Sequence, residues 1–547
     1  MTETPRDSQG EAIRHPPPET ATAPGREGTA ATAATASVPP AGEGAGAAAM
    51  TASVPPTGEG AGAAASVPPA GDGTAASGVI VPTPAAGDGA APGAAPPVAA
   101  GFGLPVAIAL IMGSIIGVGI FNLPTSLAAI GPITLASMGL TTIGAIVLAL
   151  MFAALSRRLP ADGGPYAYAR VAFGNRIGFF NAWSYWISSW AGNAGIAVGW
   201  VLYVQEFINK GGNKLFTVLL VLVGLWVPAW INLSGVKNMG SVQLVTTILK
   251  FVALAFMSTV GLFFIKTANF HPWNISGQGA ISAIGAGCAI ALFSYIGVEV
   301  ASVAAGKVRD PDKNVPKSTV FGTLATAVVY MLSLIAVFGI LPSSTLAKSD
   351  APFSAAVNEM FGGTWAGYVM AVVVIISGFG ALNGWTMIVA EMPLAAAKDG
   401  LFPDRFKQLS KNGVPAFGII SGTALASVAM AVNYIGSGGA TVFTTLILMT
   451  GITVAIPYGF SALAQIKWRI IDRREMHGQR FARDMAVAVL ALIFSIGFIY
   501  YSRNTGHSPF VYWAPFLLAG VSLLIGIPVY ARMRNKMTEP GPVPQYR

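Results

Sequence analysis

From residue 104 onward, long apolar runs alternate with short polar stretches. The runs fall near 104–129, 133–156, 176–206, 215–232, 240–266, 278–305, 317–341, 362–397, 414–434, 440–467, 484–502 and 509–531. Each is long enough for the roughly 20 residues a helix needs to cross a bilayer. The pattern therefore predicts an all-α integral membrane protein with twelve transmembrane helices. Residues 1–100 are of another kind. They are rich in Ala, Gly, Pro and Thr, and an octapeptide recurs, Ser37-Val-Pro-Pro-Ala-Gly-Glu-Gly44, then 53–60 and 66–73. With few large apolar side chains, such a stretch cannot offset its ordering entropy and is expected to be a disordered tail. It lacks a basic start followed by an apolar run, so it does not read as a cleaved signal peptide.

Two runs break the pattern of a plain spanning helix. The first contains Gly113-Ser-Ile-Ile-Gly-Val-Gly-Ile-Phe121, with three glycines where a helix former is expected. The sixth contains Phe293-Ser-Tyr-Ile-Gly-Val-Glu299. Unpaired backbone at membrane depth is tolerated only where it is buried in protein or lines a cavity. Helices interrupted at mid-membrane predict a polar ligand between them, as in secondary transporters. Small residues also serve close helix packing, and the glycines alone leave both readings open. Breaks in runs one and six imply two five-helix halves of opposite topology.

Charge sharpens this picture. Of 547 residues only 10% are charged and 53% are hydrophobic, whereas a soluble protein carries about 25% charged residues. The connections on one face, with the C-terminal tail, hold 23 Lys and Arg residues against 5 on the other. The positive-inside rule then places both termini in the cytoplasm of a cell-membrane protein. The net charge of +9 is thus accounted for by topology, and no nucleic-acid partner is expected. A single cysteine, Cys288, excludes an internal disulfide and a cysteine-cluster metal site. The four histidines have no metal-ligand spacing. No phosphate loop and no zinc-protease motif occurs, so an enzyme is not expected and no cofactor is implied. Two interrupted helices suit an occluded site better than an open channel.

Several motifs carry a resemblance: the glycine stretch 113–121, Gly163-Gly-Pro-Tyr-Ala-Tyr-Ala-Arg170, and Tyr295-Ile-Gly-Val-Glu-Val-Ala-Ser302. Arg309-Asp-Pro-Asp-Lys-Asn-Val-Pro316 and Ala395-Ala-Ala-Lys-Asp-Gly-Leu-Phe-Pro403 complete the set. Over 104 to about 470 the chain resembles the amino acid–polyamine–organocation family. It is most similar there to the basic amino acid/polyamine antiporters, such as the arginine/agmatine and arginine/ornithine exchangers. The resemblance implies a leucine-transporter-type 5+5 inverted repeat with helices 1 and 6 broken, and sodium-independent amino acid transport. It divides the chain into the tail 1–100, a transport core 101–470, helices eleven and twelve over 471–534, and a cytoplasmic tail 535–547.

Site residues follow from the resemblance together with the residues' own chemistry. Ser114, Ile115, Gly117 and Gly119 would supply the unwound backbone of the first segment, and Ser294 and Ile296 that of the sixth. Free N–H groups would hold a substrate carboxylate and carbonyls its ammonium. For Ser294 the ordinary alternative is a hydroxyl bonded to its own helix. Glu299 is an acid inside an apolar run, expensive and thus a functional candidate, here for proton-dependent gating. Its alternative is a buried acid satisfied by its neighbours. Lys250 lies too deep to snorkel. In sodium-independent relatives a lysine there stands in for a sodium ion, so proton coupling is an open possibility. Trp385 matches a tryptophan that stacks on a substrate cation. Phe293 replaces a capping tryptophan, which weakens the case for arginine. Thr450, Asn193 and the gating Tyr185 match pocket positions, while Trp186 and Trp190 read as core. Glu391 reads equally as a vestibule residue and as a loop-edge acid. The expected partners are a small amino acid and the lipid bilayer, with a homodimer left open. The expected activity is exchange of a basic amino acid of the arginine, ornithine or lysine type by alternating access. The alternative is a proton-coupled uptake permease of broader specificity.

Overall fold

The computed structural model describes residues 103–542, except 160–162, 236–238, 301–307, 436 and 504–507. The repeat-bearing tail 1–100, the end of the sixth run at 301–305, and Lys237, Lys307 and Arg547 lie outside the described residues.

The described chain is helical. In order it forms α1 (Leu104–Ile115), α2 (Gly119–Ala128), α3 (Thr134–Arg158), α4 (Pro165–Phe173), α5 (Asn175–Val204), α6 (Lys214–Leu233), α7 (Met239–Thr259) and α8 (Ala280–Leu292). There follow α9 (Pro311–Ile340), α10 (Ser343–Leu346), α11 (Pro352–Phe361), α12 (Trp365–Lys398), α13 (Ala416–Tyr434), α14 (Gly439–Ile471), α15 (Gly478–Tyr501) and α16 (Pro509–Met533). Among the described residues, 10 helical stretches are long and apolar enough to cross a bilayer. Two of the twelve predicted runs fall outside that set for physical reasons. α5 has 30 residues, about 45 Å at 1.5 Å per residue, but its serines and asparagines make it too polar. α8 has 13 residues, about 20 Å, because the helix stops at the interruption.

Both interruptions are present. α1 ends at Ile115, Ile116 is extended (φ −74°, ψ 90°), and the helix resumes at Gly119. α8 ends at Leu292, passes through one tight turn over Phe293–Tyr295, and becomes extended at Ile296 (φ −65°, ψ 129°). The two breaks meet. Gly297 has φ +115°, and a Cβ there would lie 3.0 Å from the carbonyl carbon and oxygen of Ser114. Only glycine allows that backbone conformation and that approach together. The Ser114 hydroxyl donates to the Gly297 carbonyl at 3.2 Å, and Tyr330 Oη donates to the Ile115 carbonyl at 3.0 Å. Carbonyls freed by one broken helix are thus taken up by its neighbours, as hydrocarbon requires.

α5 is almost wholly buried and packs against α14 and α12. It forms the wall along which the site is built. Two stretches expected as plain connections carry helices of their own. α4 occupies 165–173, started by a proline at its first position and too short to span. α10 and α11 occupy part of 342–361 and pack on α2.

Several basic residues counted only toward topology are buried partners. Arg158 pairs with Asp472, and Arg469 lies 3.1 Å from Asp484. Arg170 lies 2.7 Å from Asp399 and donates at 2.8 Å to both the carbonyl and the hydroxyl of Thr538. The segment after α16 is thereby strapped across the ends of α4 and α12.

Candidate functional site

A cavity lies where the two breaks face α5, α12 and α14. Ser114, Ile115, Gly117 and Gly119 line it from the first break, and Phe293, Ser294 and Ile296 from the second. Trp385 of α12 and Thr450 of α14 complete the predicted set. Asn193 is not among the lining residues; its amide donates to Thr386 Oγ1 at 3.1 Å, beside Trp385. Four further residues contribute: Ile120, Ser188, Gly192 and Ile196. The last three stand at i, i+4 and i+8 on α5, a stripe legible from helical spacing once Tyr185 and Asn193 mark that face.

The cavity is narrow, about 20 Å³, room for about one water. Phe293 accounts for much of this. Its ring stands so close to α2 that a Cβ on Gly119 would lie 2.7 Å from it. By contrast, a Cβ on Gly117 would meet nothing nearer than 3.9 Å, so that glycine fronts open space.

The polar groups are not equally available. Ser114 Oγ is engaged with the Ile111 and Gly297 carbonyls, Ser188 Oγ with the Tyr185 carbonyl at 2.7 Å, and Thr450 Oγ1 with Leu446 at 2.8 Å. Ser294 Oγ is buried and has no hydrogen-bond partner among the described residues. The same holds for Asn193 Oδ1. Among the described residues no carboxylate lines the cavity.

Glu299 sits just past the second break and is fully buried. Tyr185 Oη donates to one carboxylate oxygen at 2.8 Å; Tyr458 Oη, at 2.6 Å, and the Gly297 N–H, at 3.1 Å, donate to the other. This carboxylate therefore ties α5, α14 and the second break into one knot. Tyr458 was not foreseen from the sequence, because nothing local distinguishes it from other core tyrosines. Lys250 is also fully buried, and its ammonium donates to the Gly113 carbonyl at 3.1 Å, at the end of α1. It pairs with no carboxylate among the described residues.

Beyond the cavity, α2 is wholly buried and clamped at four points. Asn122 donates to the Gly199 carbonyl at 3.1 Å, and Tyr203 to the Phe121 carbonyl at 2.8 Å. Thr125 donates to the Ser349 carbonyl at 2.6 Å, and Ser126 bonds Thr444 at 2.8 Å.

Comparison with known proteins bears on this arrangement. The chain is 30% identical over 392 residues to a putrescine transporter of Haemophilus influenzae, covering 72% of this chain and 89% of that protein. It is 30% identical over 407 residues to an arginine/ornithine antiporter of Pseudomonas aeruginosa, covering 72% and 84%. A cadaverine/lysine antiporter of Escherichia coli is 28% identical over 384 residues, covering 69% and 85%. A crystal structure of the Eremococcus coleocola manganese transporter, in complex with an aromatic bis-isothiourea substituted compound, is similar in fold. Its TM-score is 0.52 at 10% identity, over 79% of this chain and 93% of that one. The family model described as amino acid permease matches residues 102–527. A match over most of the described chain, together with relatives of this identity and two interrupted helices meeting at one cavity, makes the protein a member of the amino acid permease family, within the amino acid–polyamine–organocation superfamily.

Proposed function

We propose that the chain is a secondary transporter that exchanges a basic amino acid for a related amino acid or amine by alternating access. The observation that carries this reading is the meeting of the two breaks at Gly297 and Ser114, with a cavity beside them. Backbone groups released there suit the carboxylate and ammonium common to all amino acids. The Trp385 face suits a cationic side chain, and the relatives named for arginine, ornithine, putrescine, lysine and cadaverine support that class.

In this reading twelve spans form two five-helix inverted halves followed by two further helices, with both termini cytoplasmic. α5 and the interrupted α8 segment supply the two spans beyond the 10 apolar ones. The Lys250 ammonium at the Gly113 carbonyl takes the place of an inorganic cation, which supports sodium independence. Substrate enters by displacing Phe293, given the small free volume.

A second reading, proton-coupled uptake of a broader set, is favoured by one observation. Lys250 is fully buried against a neutral partner, so it holds a proton that a transport cycle can carry. Proteoliposomes separate the two. Exchange requires internal substrate and is indifferent to a pH gradient. Uptake into empty vesicles, driven by an inward proton gradient alone, would replace the first reading with the second.

A further inference from the structure

The transport reading leaves a second, larger cavity without a task. It has a volume of about 320 Å³, and its polar wall is formed by Gln205, Glu206, Asn209, Lys210, Asp350 and Tyr368. That volume falls within the ~300–1,000 Å³ typical of small-molecule sites. The polar wall contrasts with the apolar inner cavity.

Its charges do not cancel. Glu206 lies within electrostatic reach of both Asp350 and Lys210. Neither carboxylate has a hydrogen-bond or ion-pair partner among the described residues. Two carboxylates face one ammonium, so the cavity holds an uncompensated negative charge. That one ammonium, on Lys210, rests 2.9 Å from Tyr368 Oη and 5.3 Å from the centre of its ring. The wall thus already accommodates an amine, held at the hydroxyl end of this tyrosine.

Its position links it to the inner cavity. Leu202, which also lines it, is six residues beyond Ile196 on α5, about 9 Å at 1.5 Å per residue. Tyr203, next to Leu202, clamps Phe121, and Ser349, next to Asp350, clamps Thr125. Walls of the outer cavity are therefore continuous with the clamps on α2. On the charge count, this is the non-cytoplasmic face.

We propose that this cavity is an outer capture site for organic ammonium groups. Diamines and basic amino acids rest there, displacing the tethered Lys210 ammonium, before α2 opens. The proposal rests on the reading of the substrate as cationic. Negative charge in a cleft raises the local concentration of a cation and speeds its entry.

The test uses the full chain, wild type and the double variant Glu206→Gln/Asp350→Asn, in right-side-out proteoliposomes at low ionic strength with labelled putrescine and labelled arginine. The double variant raises KM for externally supplied substrate about fivefold or more. It leaves KM for internally supplied substrate in place, and the difference fades in about 0.5 M salt, where the screening length is only a few ångströms. Lys210→Ala lowers the external KM. An unchanged external KM, or an equal rise on both sides, overturns the proposal. Direct binding keeps the two readings apart. If the wild type moves no labelled amino acid or amine, the transport reading fails, and equilibrium dialysis of purified protein with putrescine then decides this one. Loss of one equivalent per chain in the double variant supports capture of an amine. Equal binding by both proteins, or occupancy displaced by millimolar calcium and not by arginine, overturns it.

Discussion

Two glycines at the break carry different burdens, and substitution separates them. At Gly297 a side chain meets a φ of +115° and the Ser114 carbonyl at 3.0 Å. Gly297→Ala is expected to cost about 2–4 kcal/mol from backbone strain and overpacking, read as a lower melting temperature together with lost transport. At Gly117 a Cβ finds open space. Gly117→Ala should therefore keep a melting temperature near wild type while lowering uptake, because its methyl takes up the little free space left at the break. Equal melting temperatures for both variants would contradict the contact between the breaks. A third residue carries a pH dependence. Partial desolvation at the outer cavity raises the Asp350 carboxyl above the usual aspartate range. As pH falls, Asp350 therefore takes up its proton earlier than an exposed aspartate does, and the charge that attracts an amine is lost. External KM for putrescine should rise on acidification, beginning above that usual range, and Asp350→Asn should remove this part of the profile. Glu206, Lys210 and Tyr368 face the same space, so the comparison is made with those three intact.

At the level of elements, sequence reading succeeded where physics is local. Three close glycines and a polar patch in apolar runs pointed to both interruptions, and the family resemblance supplied the predicted lining residues, all but Asn193 of which line the cavity. It missed what depends on distant partners. Ser188, Gly192 and Ile196 are marked only by their spacing from Tyr185 and Asn193, because α5 is buried on nearly every side and its own pattern singles out no face. Tyr458 is singled out only by Glu299, 159 positions away in sequence. The strap after α16 was read as a plain tail, yet Thr538 accepts from Arg170 and Asn175 and donates to the Asp399 carbonyl at 2.9 Å. Gly400, in the motif 395–403, has φ +74°, and a Cβ there would lie 2.5 Å from the Lys536 carbonyl oxygen. Part of that motif's glycine requirement is therefore the strap. Gly400→Ala is expected to cost about 1–2 kcal/mol more in the full chain than in a chain ending at Met533, a coupling that a double-mutant cycle in thermal melts reads directly. Additive losses would mean that the strap does not press on Gly400.

For the whole molecule, the membrane dictates the plan. An apolar exterior forces the chain to hide its polar groups inside, and the buried charges then mark joints between helices. Glu299 joins α5, α14 and the second break, Lys250 joins α7 to the end of α1, and Arg158 joins α3 to the segment after α14. A substrate held among such joints would have a simple signature in cysteine chemistry, since the single cysteine, Cys288, is buried. In a Cys288→Ala background, Ser294→Cys places a thiol at the unpartnered hydroxyl beside the second break. The decisive measurement is the rate at which a small cationic methanethiosulfonate labels that thiol in proteoliposomes, with and without arginine, putrescine or whichever amino acid the variant is shown to transport. The account predicts protection by transported substrate, half-maximal near its KM, and none by a compound that is not carried. Unprotected labelling at saturating substrate, in a variant that still transports, would contradict the claim that the substrate rests between the two broken helices.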